Sequence, residues 1–365
     1  MTAVNKKAKK LKTKPKQPAF KRAARLAWLK TPKKKLFLYA AITTGALVIF
    51  WWLIFMLYLP NRSDSAASAY NSLDLSVASK ARYSNKPISF IKDIGIQNNV
   101  KHELISFEVP KDNLSEYALM TTPTKKPPGG KYPVIILCHG YVNPRAYSTL
   151  EDYSPDMEFY SQHGFVVIKP DFRGNGFSVT SGTPDGAYYS MGYNTDVMSL
   201  VAAVKKTSNL DKKNISLWGH SMGGYVALRA AVLSADIKNL ILLSAPVGNT
   251  QDMYSDYTAV SDRDNPVAAD IRDQQLVIHG TPLTNPTYWD TTSPINYVSR
   301  LHADVQIYAS TNDHVVPSEF SQDLNQALAA RHIMHQLTIF AGDDHGLVDH
   351  RAEIWSNSLK ILNRH

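Results

Sequence analysis

From residue 132 onwards, short apolar runs alternate with stretches of helical composition, and that rhythm leaves the chain few folds. The runs are 132–138 (YPVIILC), 164–169 (GFVVIK), 214–218 (NISLW), 240–244 (LILLS), 305–309 (VQIYA) and 336–340 (QLTIF). Each is bounded by turn residues and is apolar at consecutive rather than alternate positions, the pattern of a strand covered on both faces. Helical stretches at 195–206, 222–233, 319–330 and 351–362 lie between most of them. Such alternation predicts the α/β class: a mostly parallel central sheet with helices on both faces. Two earlier strand-like segments, 102–110 and 116–123, end in prolines ahead of the loop TKKPPGGK and predict an opening antiparallel pair. One domain over residues 86–365 follows from these elements.

The interval from Val247 to Ala303 departs from the rhythm, separating two consecutive strands by almost sixty residues that include Tyr254, Tyr257, Tyr288 and Trp289. A connection of that length carries its own elements or a function, and a cap insertion over a pocket is the expectation. Tyr141, Tyr147, Tyr188, Tyr189, Tyr193 and Trp289 are candidates either to line that pocket or to pack elsewhere. With 44% hydrophobic residues a sizeable core is available, and the single cysteine, Cys138, excludes an intrachain disulfide. Cys138 ends an apolar run and reads as a core residue. No Cys/His spacing suits a structural zinc site, so neither a metal nor a cofactor is expected.

The N-terminal part obeys different rules. Residues 1–35 contain fourteen Lys or Arg and no acidic residue, so the formal charge of +9 becomes −5 for the remainder. Residues 36–59 then run without a charge, and as a helix would span about 36 Å, enough to cross a bilayer. A transmembrane helix over 36–60 is expected. Lys33, Lys34 and Lys35 abut it on one side and only Arg62 follows within residues 60–79, which predicts a cytosolic tail and places the α/β domain on the extracytoplasmic side. Cleavage near Ala67-Ser68-Ala69 is the competing expectation, but signal-peptide apolar regions run to 7–15 residues, shorter than this one. The lysines of the tail suit anionic lipid headgroups; no nucleic-acid-binding motif accompanies them, and no nucleic acid is expected. Residues 61–85, rich in Ser and Ala, read as a stalk.

The chemistry is signalled directly after the run NISLW, where Gly219-His220-Ser221-Met222-Gly223-Gly224 leads into the helical YVALRAAVLS. Small flanking residues permit a strained strand-to-helix turn that exposes a serine hydroxyl, and the helix start offers N–H groups to an anion. Ser221 is the candidate nucleophile. Its hydroxyl needs a histidine to accept the proton and a carboxylate to orient that histidine, and on such a turn the chain order is serine, acid, histidine. Asp313 follows the penultimate strand run and His345 the last one, each on a loop expected at the carboxyl edge of the sheet. Asp343 and Asp344 sit too close to His345 in sequence to reach its ring and read as turn residues; His350 reads as a helix-face residue. Oxyanion donors are expected from the backbone N–H of Met222 and of Tyr141, the latter on the loop Cys138-His139-Gly140-Tyr141. His139 precedes Ser221 and reads as packed rather than catalytic.

With these residues in place the chain resembles the α/β-hydrolase superfamily, and most closely the catalytic domain of the prolyl oligopeptidase family of serine peptidases and related esterases. The resemblance covers about residues 86–365. It rests on His139-Gly140, on the run Asp171-Phe172-Arg173-Gly174-Asn175-Gly176-Phe177-Ser178, on Trp218 through Gly224, on Asp313 through Pro317, and on His345. It implies an α/β-hydrolase fold, a Ser-Asp-His triad acting through an acyl-enzyme on an ester or peptide bond, and a structural Arg173. Family peptidases carry a propeller that filters substrates, and the interval between the membrane segment and the hydrolase domain is too short for one. The cap is expected to replace it. Esterase, lipase, thioesterase and peptidase readings share the same attacking groups; a non-catalytic binding protein that keeps the fold is the alternative of another class.

Overall fold

The computed structural model describes residues 44–45, 47–50, 72–83, 86–110, 112–180, 189–254 and 266–364. The basic tail over 1–35, most of the predicted membrane helix over 36–60, most of the stalk's first half and Tyr188 lie outside the described residues. Thr44, Gly45 and Leu47 to Phe50 are helical with exposed side chains. Among the described residues no helix is long and apolar enough to cross a membrane.

Among the described residues nine strands form one sheet: β1 (Ser89–Gln97), β2 (Val100–Val109), β3 (Leu114–Pro123), β4 (Tyr132–Cys138), β5 (Val166–Pro170), β6 (Leu210–His220), β7 (Ile237–Leu243), β8 (Asp304–Ser310) and β9 (His335–Phe340). Their spatial order is β1-β2-β3-β5-β4-β6-β7-β8-β9. The pairs β1/β2, β2/β3 and β3/β5 are antiparallel, and every later pair is parallel. The described helices include α1 (Leu75–Ala78), α2 (Ser154–Gln162), α3 (Gly192–Val204), α4 (Met222–Leu233), α5 (Pro266–His279), α6 (Pro286–Thr292), α7 (Ser318–Ala330) and α8 (Arg351–Leu362).

The apolar runs are continuous because successive side chains of a central strand enter different cores. In β4, Val134, Ile136 and Cys138 belong to the core that also holds residues of α3, α4 and α7, whereas Ile135 and Leu137 belong to the core that holds residues of α2 and α8. Trp218 on β6, wholly buried, belongs to the second core, together with Tyr160 of α2 and Ile354 of α8. Both faces are thus covered, and the loops after β6, β8 and β9 open at the carboxyl ends of parallel strands, where ligand sites of open α/β sheets form.

Two differences from the sequence reading have physical causes. β1 gives no in-and-out alternation to detect because all nine of its residues are exposed. The stalk boundary needs correction: within 61–85, Leu73, Leu75 and Ala78 are buried in the same core as α3 and α4. Asp74 caps α1 by accepting the Ser76 amide at 2.8 Å, and Arg300 donates to the Leu75 carbonyl at 3.3 Å. Leu73 ahead of the cap and Leu75 and Ala78 on α1 dock this segment onto α4 and α6 rather than leave it free. The cap interval does carry its own elements, α5, α6 and a 3-10 turn over Pro294–Arg300, with residues 255–265 outside the described set.

Candidate active site

β6 delivers Ser221 to the centre of the carboxyl edge, between β4 and β7. Gly219 pairs with Cys138, His220 pairs with Leu243, and the Ser221 amide donates to the Leu243 carbonyl at 2.9 Å. The turn into α4 forces Ser221 to φ 52° and ψ −128°, a conformation that non-glycine residues avoid and that persists only under surrounding constraint. Part of that constraint is the absence of side chains beside it: a Cβ on Gly219 would lie 2.6 Å from the Gly223 carbonyl oxygen, and one on Gly224 would lie 2.4 Å from the Ala245 Cβ.

His345 comes from the loop after β9 and Asp313 from the loop after β8. His345 Nε2 lies 2.8 Å from Ser221 Oγ, and His345 Nδ1 lies 2.8 Å from Asp313 Oδ2. The carboxylate is an obligate acceptor at neutral pH, so Nδ1–H donates to Asp313 and Nε2 accepts from the serine hydroxyl. Asp313 is held in turn, its Oδ1 accepting the amides of Val315 at 2.8 Å and Val316 at 2.9 Å. Burial alone would raise its pKa, but the His345 hydrogen bond and charge together with those two amides outweigh it and hold the carboxyl below its ordinary value. The three side chains singled out from the sequence therefore form one hydrogen-bonded line.

The loop carrying His345 is fastened from several sides. Ser310 Oγ donates to the Asp343 carbonyl at 2.5 Å, Arg351 donates to the Gly346 carbonyl, also at 2.5 Å, and Asp343 Oδ2 meets His350 Nδ1 at 2.8 Å. His350, read from sequence as a helix-face residue, instead begins α8 as its capping position and ties that helix to the loop. Two further groups went unnoticed in the sequence. His220 Nε2 donates to the His345 carbonyl (2.9 Å), Tyr153 Oη donates to His220 Nδ1 (2.8 Å), and the Gly140 amide donates to Tyr153 Oη (2.8 Å). Burial first, then the nearby His345 charge, pushes the His220 pKa down to about 3, so the ring stays neutral and the chain of donors keeps one direction. His220 is the variable residue of the G-x-S motif, which was its one sequence signal; Tyr153, in the left-handed region at φ 62°, had none.

Gly140 sits against the nucleophile, since a Cβ there would lie 3.2 Å from the Ser221 Cβ. Its own N–H is committed to Tyr153, and Tyr141 is the next amide on that loop. Met222 opens α4, within the first four N–H groups of a helix, which find no carbonyl inside it. His139 is buried between the carbonyls of Gly140 and Asp171, at 2.7 and 3.2 Å, and burial lowers its pKa to about 4. Cys138 is buried and burial raises its thiol pKa. Tyr147 hydrogen-bonds Asp171 at 3.0 Å, Tyr193 stacks on Phe172, and Trp289 packs on Tyr254, which meets Tyr189; these candidates for a pocket wall all serve packing in part. Among the described residues no group of three or more His, Cys, Asp or Glu could hold a metal ion.

The run Asp171–Ser178 is pinned by charge. Arg173 grips Asp196 at 2.6 Å and Asp112 at 2.8 Å, while Asp171 accepts from Tyr147, Thr149 Oγ1 and the Phe177 amide. Beside it Glu116 is fully buried, and burial, followed by the Asp196 charge, pushes its pKa up to about 9 against opposition from Ser178 and Arg173. The folded state then holds a proton that the unfolded chain releases near pH 4.5. Stability from this group is complete below that pH and declines up to about 9, by at most about 1.4 kcal/mol per pH unit. Glu116→Gln, which mimics the protonated form, is expected to raise the melting temperature at pH 8.5 by several degrees more than at pH 5; equal shifts at both pH values contradict the assignment.

Against this geometry, comparisons with known proteins agree on one grouping. The sequence matches the prolyl oligopeptidase family over residues 151–363, more than half of the chain. The acylamino-acid-releasing enzyme of Rattus norvegicus is 22% identical over 285 residues, covering 74% of this chain and 35% of that protein, so the chain spans about a third of this relative's length. Among solved structures, an acetyl xylan esterase from Paenibacillus sp. R4 superposes with a TM-score of 0.58 at 16% identity, covering 83% of this chain and 96% of the esterase. Pyrococcus horikoshii acylaminoacyl peptidase gives 0.57 at 17% identity, over 73% of this chain and 42% of that one. The structural likenesses establish the α/β-hydrolase fold, and on the sequence match the chain belongs to the prolyl oligopeptidase family of serine hydrolases.

Proposed function

We propose that the chain hydrolyses an ester or amide bond of a small acylated or peptidic substrate through an acyl-enzyme on Ser221. The observation that carries this reading is the unbroken line Ser221–His345–Asp313, with both links at 2.8 Å. Ser221 Oγ attacks the substrate carbonyl carbon as its proton passes to His345 Nε2. Asp313 holds the ring in the required tautomer and stabilises the imidazolium. The negative oxygen of the tetrahedral intermediate is bound by the backbone N–H groups of Met222 and Tyr141. His345 then protonates the departing alcohol or amine, and the C–O or C–N bond breaks. A water molecule, giving its proton to the same nitrogen, attacks the acyl-enzyme and restores the serine. The similarity to both an acylamino-acid-releasing enzyme and an acetyl xylan esterase supports a substrate with an acyl group on nitrogen or oxygen.

The uncharged run over 36–59 and the lysines before it support anchoring in a bilayer through residues 36–60, with the N-terminus cytosolic, the tail against anionic headgroups and the catalytic domain extracytoplasmic. One experiment addresses both parts of the proposal. Carbonate-washed membranes from cells making the full chain, treated with a fluorophosphonate probe, should show one labelled band that disappears in Ser221→Ala. A labelled band in the soluble fraction alone contradicts the anchor; an unlabelled folded chain contradicts the nucleophile.

A further inference from the structure

We propose that Tyr153 and His220 are positioning residues: together they lock the loop that offers the Tyr141 oxyanion donor to the loop that carries the base, so that losing either lowers kcat and leaves KM in place. This role rests on the acyl-enzyme reading of Ser221. One of the two loops follows β4 and the other follows β9, so nothing in the local chain keeps them in register.

A hydrogen-bonded strut does so instead. The Gly140 amide donates to Tyr153 Oη, Tyr153 Oη donates to His220 Nδ1, and His220 Nε2 donates to the His345 carbonyl, at 2.8, 2.8 and 2.9 Å. Every proton on it has a single place. A carbonyl can only accept, so His220 Nε2 carries the ring proton; Nδ1 then accepts, the tyrosine hydroxyl donates to it, and the tyrosine oxygen is left to accept from Gly140. Burial pushes the Tyr153 hydroxyl pKa up and the His220 pKa down, so neither group changes its protonation near neutral pH.

The strut reaches the oxyanion donor through one peptide plane. The Gly140 N–H is committed to Tyr153, and the Gly140 carbonyl meets His139 Nδ1 at 2.7 Å. With both polar groups of Gly140 held, the planar unit joining it to Tyr141 is fixed, and in a trans peptide the Tyr141 N–H points away from that carbonyl. The strut also runs against the nucleophile turn: a Cβ on Gly140 would lie 2.8 Å from Tyr153 Oη, 3.0 Å from His220 Nδ1 and 3.2 Å from the Ser221 Cβ. Its far end is the main-chain carbonyl of the residue whose ring bridges Ser221 and Asp313. Tyr153 is itself anchored. Its carbonyl accepts the Met157 amide at 3.1 Å, and the wholly buried Lys169 donates from Nζ to the neighbouring Asp152 carbonyl at 2.6 Å. A bulky residue held at φ 62° marks a position that its surroundings dictate.

The test uses the full chain in detergent micelles, with steady-state hydrolysis of a p-nitrophenyl ester, labelling by a fluorophosphonate probe, and circular dichroism as the folding control. Tyr153→Phe and His220→Leu should each lower kcat by about 10–100-fold and leave KM within about twofold, as expected for groups that set transition-state geometry. The double variant should turn over within about threefold of the slower single one, because a strut already broken cannot be broken again. His220→Gln should recover most of the loss: its amide oxygen can accept from Tyr153 while its NH₂ donates to the His345 carbonyl, the one orientation that carbonyl allows. With wild type labelled and Ser221→Ala unlabelled, any of four results overturns the strut and leaves the nucleophile standing: Tyr153→Phe labelled and turning over like wild type, a raised KM at unchanged kcat, losses that multiply in the double variant, or His220→Gln as slow as His220→Leu. A folded wild type that the probe does not label overturns both readings together.

Discussion

Replacing Asp313 by asparagine is expected to lower kcat by about 10⁴-fold while leaving the chain folded and its substrate KM little changed. The size follows from a tautomer, not from lost charge alone. Asp313 Oδ1 accepts the amides of Val315 and Val316, so in the variant the asparagine oxygen must occupy that position. A flipped amide would set its NH₂ against two N–H donors. The NH₂ is therefore fixed where Oδ2 stood, facing His345 Nδ1, which must become an acceptor. The ring proton moves to Nε2, the nitrogen 2.8 Å from Ser221 Oγ, and that nitrogen can no longer take the serine proton. Steady-state kinetics on a p-nitrophenyl ester, with circular dichroism as the folding control, checks the result. A loss below about tenfold would mean that Asp313 does not orient the base. Ser221→Ala should go further, by about 10⁶-fold, because no other hydroxyl lies on this line.

The hydrogen-bonded line Ser221–His345–Asp313 could be located in the sequence because each member follows a strand whose apolar run is unmistakable. β6, β8 and β9 end within two residues of their expected positions, and in a parallel sheet the loops after them share one edge whatever their separation along the chain. What escaped notice depends on contacts rather than on pattern. Tyr153, at the start of α2, meets His220 and Gly140 only in the folded chain; its neighbours Glu151, Asp152, Ser154 and Pro155 have the composition of an ordinary polar turn. Glu116 interrupts a strand as if it faced solvent, yet it is sealed beside Asp196 and Arg173. β1 shows no burial periodicity because all nine of its residues are exposed. In the stalk, Leu73 and Leu75 stand in a stretch rich in Ser and Ala, and only the surface of α4 and α6 gives them a place.

Gly223→Ala is expected to produce the largest stability loss of any single methyl added near the site, about 3 kcal/mol, or a fall in melting temperature of roughly 6–12 °C for a domain of this size. Gly223 is the second residue of α4, and an ideal Cβ there would lie 2.1 Å from the Cys138 carbonyl oxygen and 2.4 Å from that of His139. Both obstacles are backbone, so no rotamer change relieves them; either the helix start or the end of β4 must move. Either movement separates Met222 from the loop of Gly140 and Tyr141, the two proposed sources of oxyanion donors. A displacement near 1 Å there lowers the rate by about 10²-fold, so activity should fall even below the temperature at which the variant unfolds. Gly129→Ala is the control, because a Cβ at that position meets nothing within 4 Å. If Gly223→Ala melts and turns over substrate like Gly129→Ala, the close approach of α4 to β4 is not what holds the nucleophile turn in its strained form.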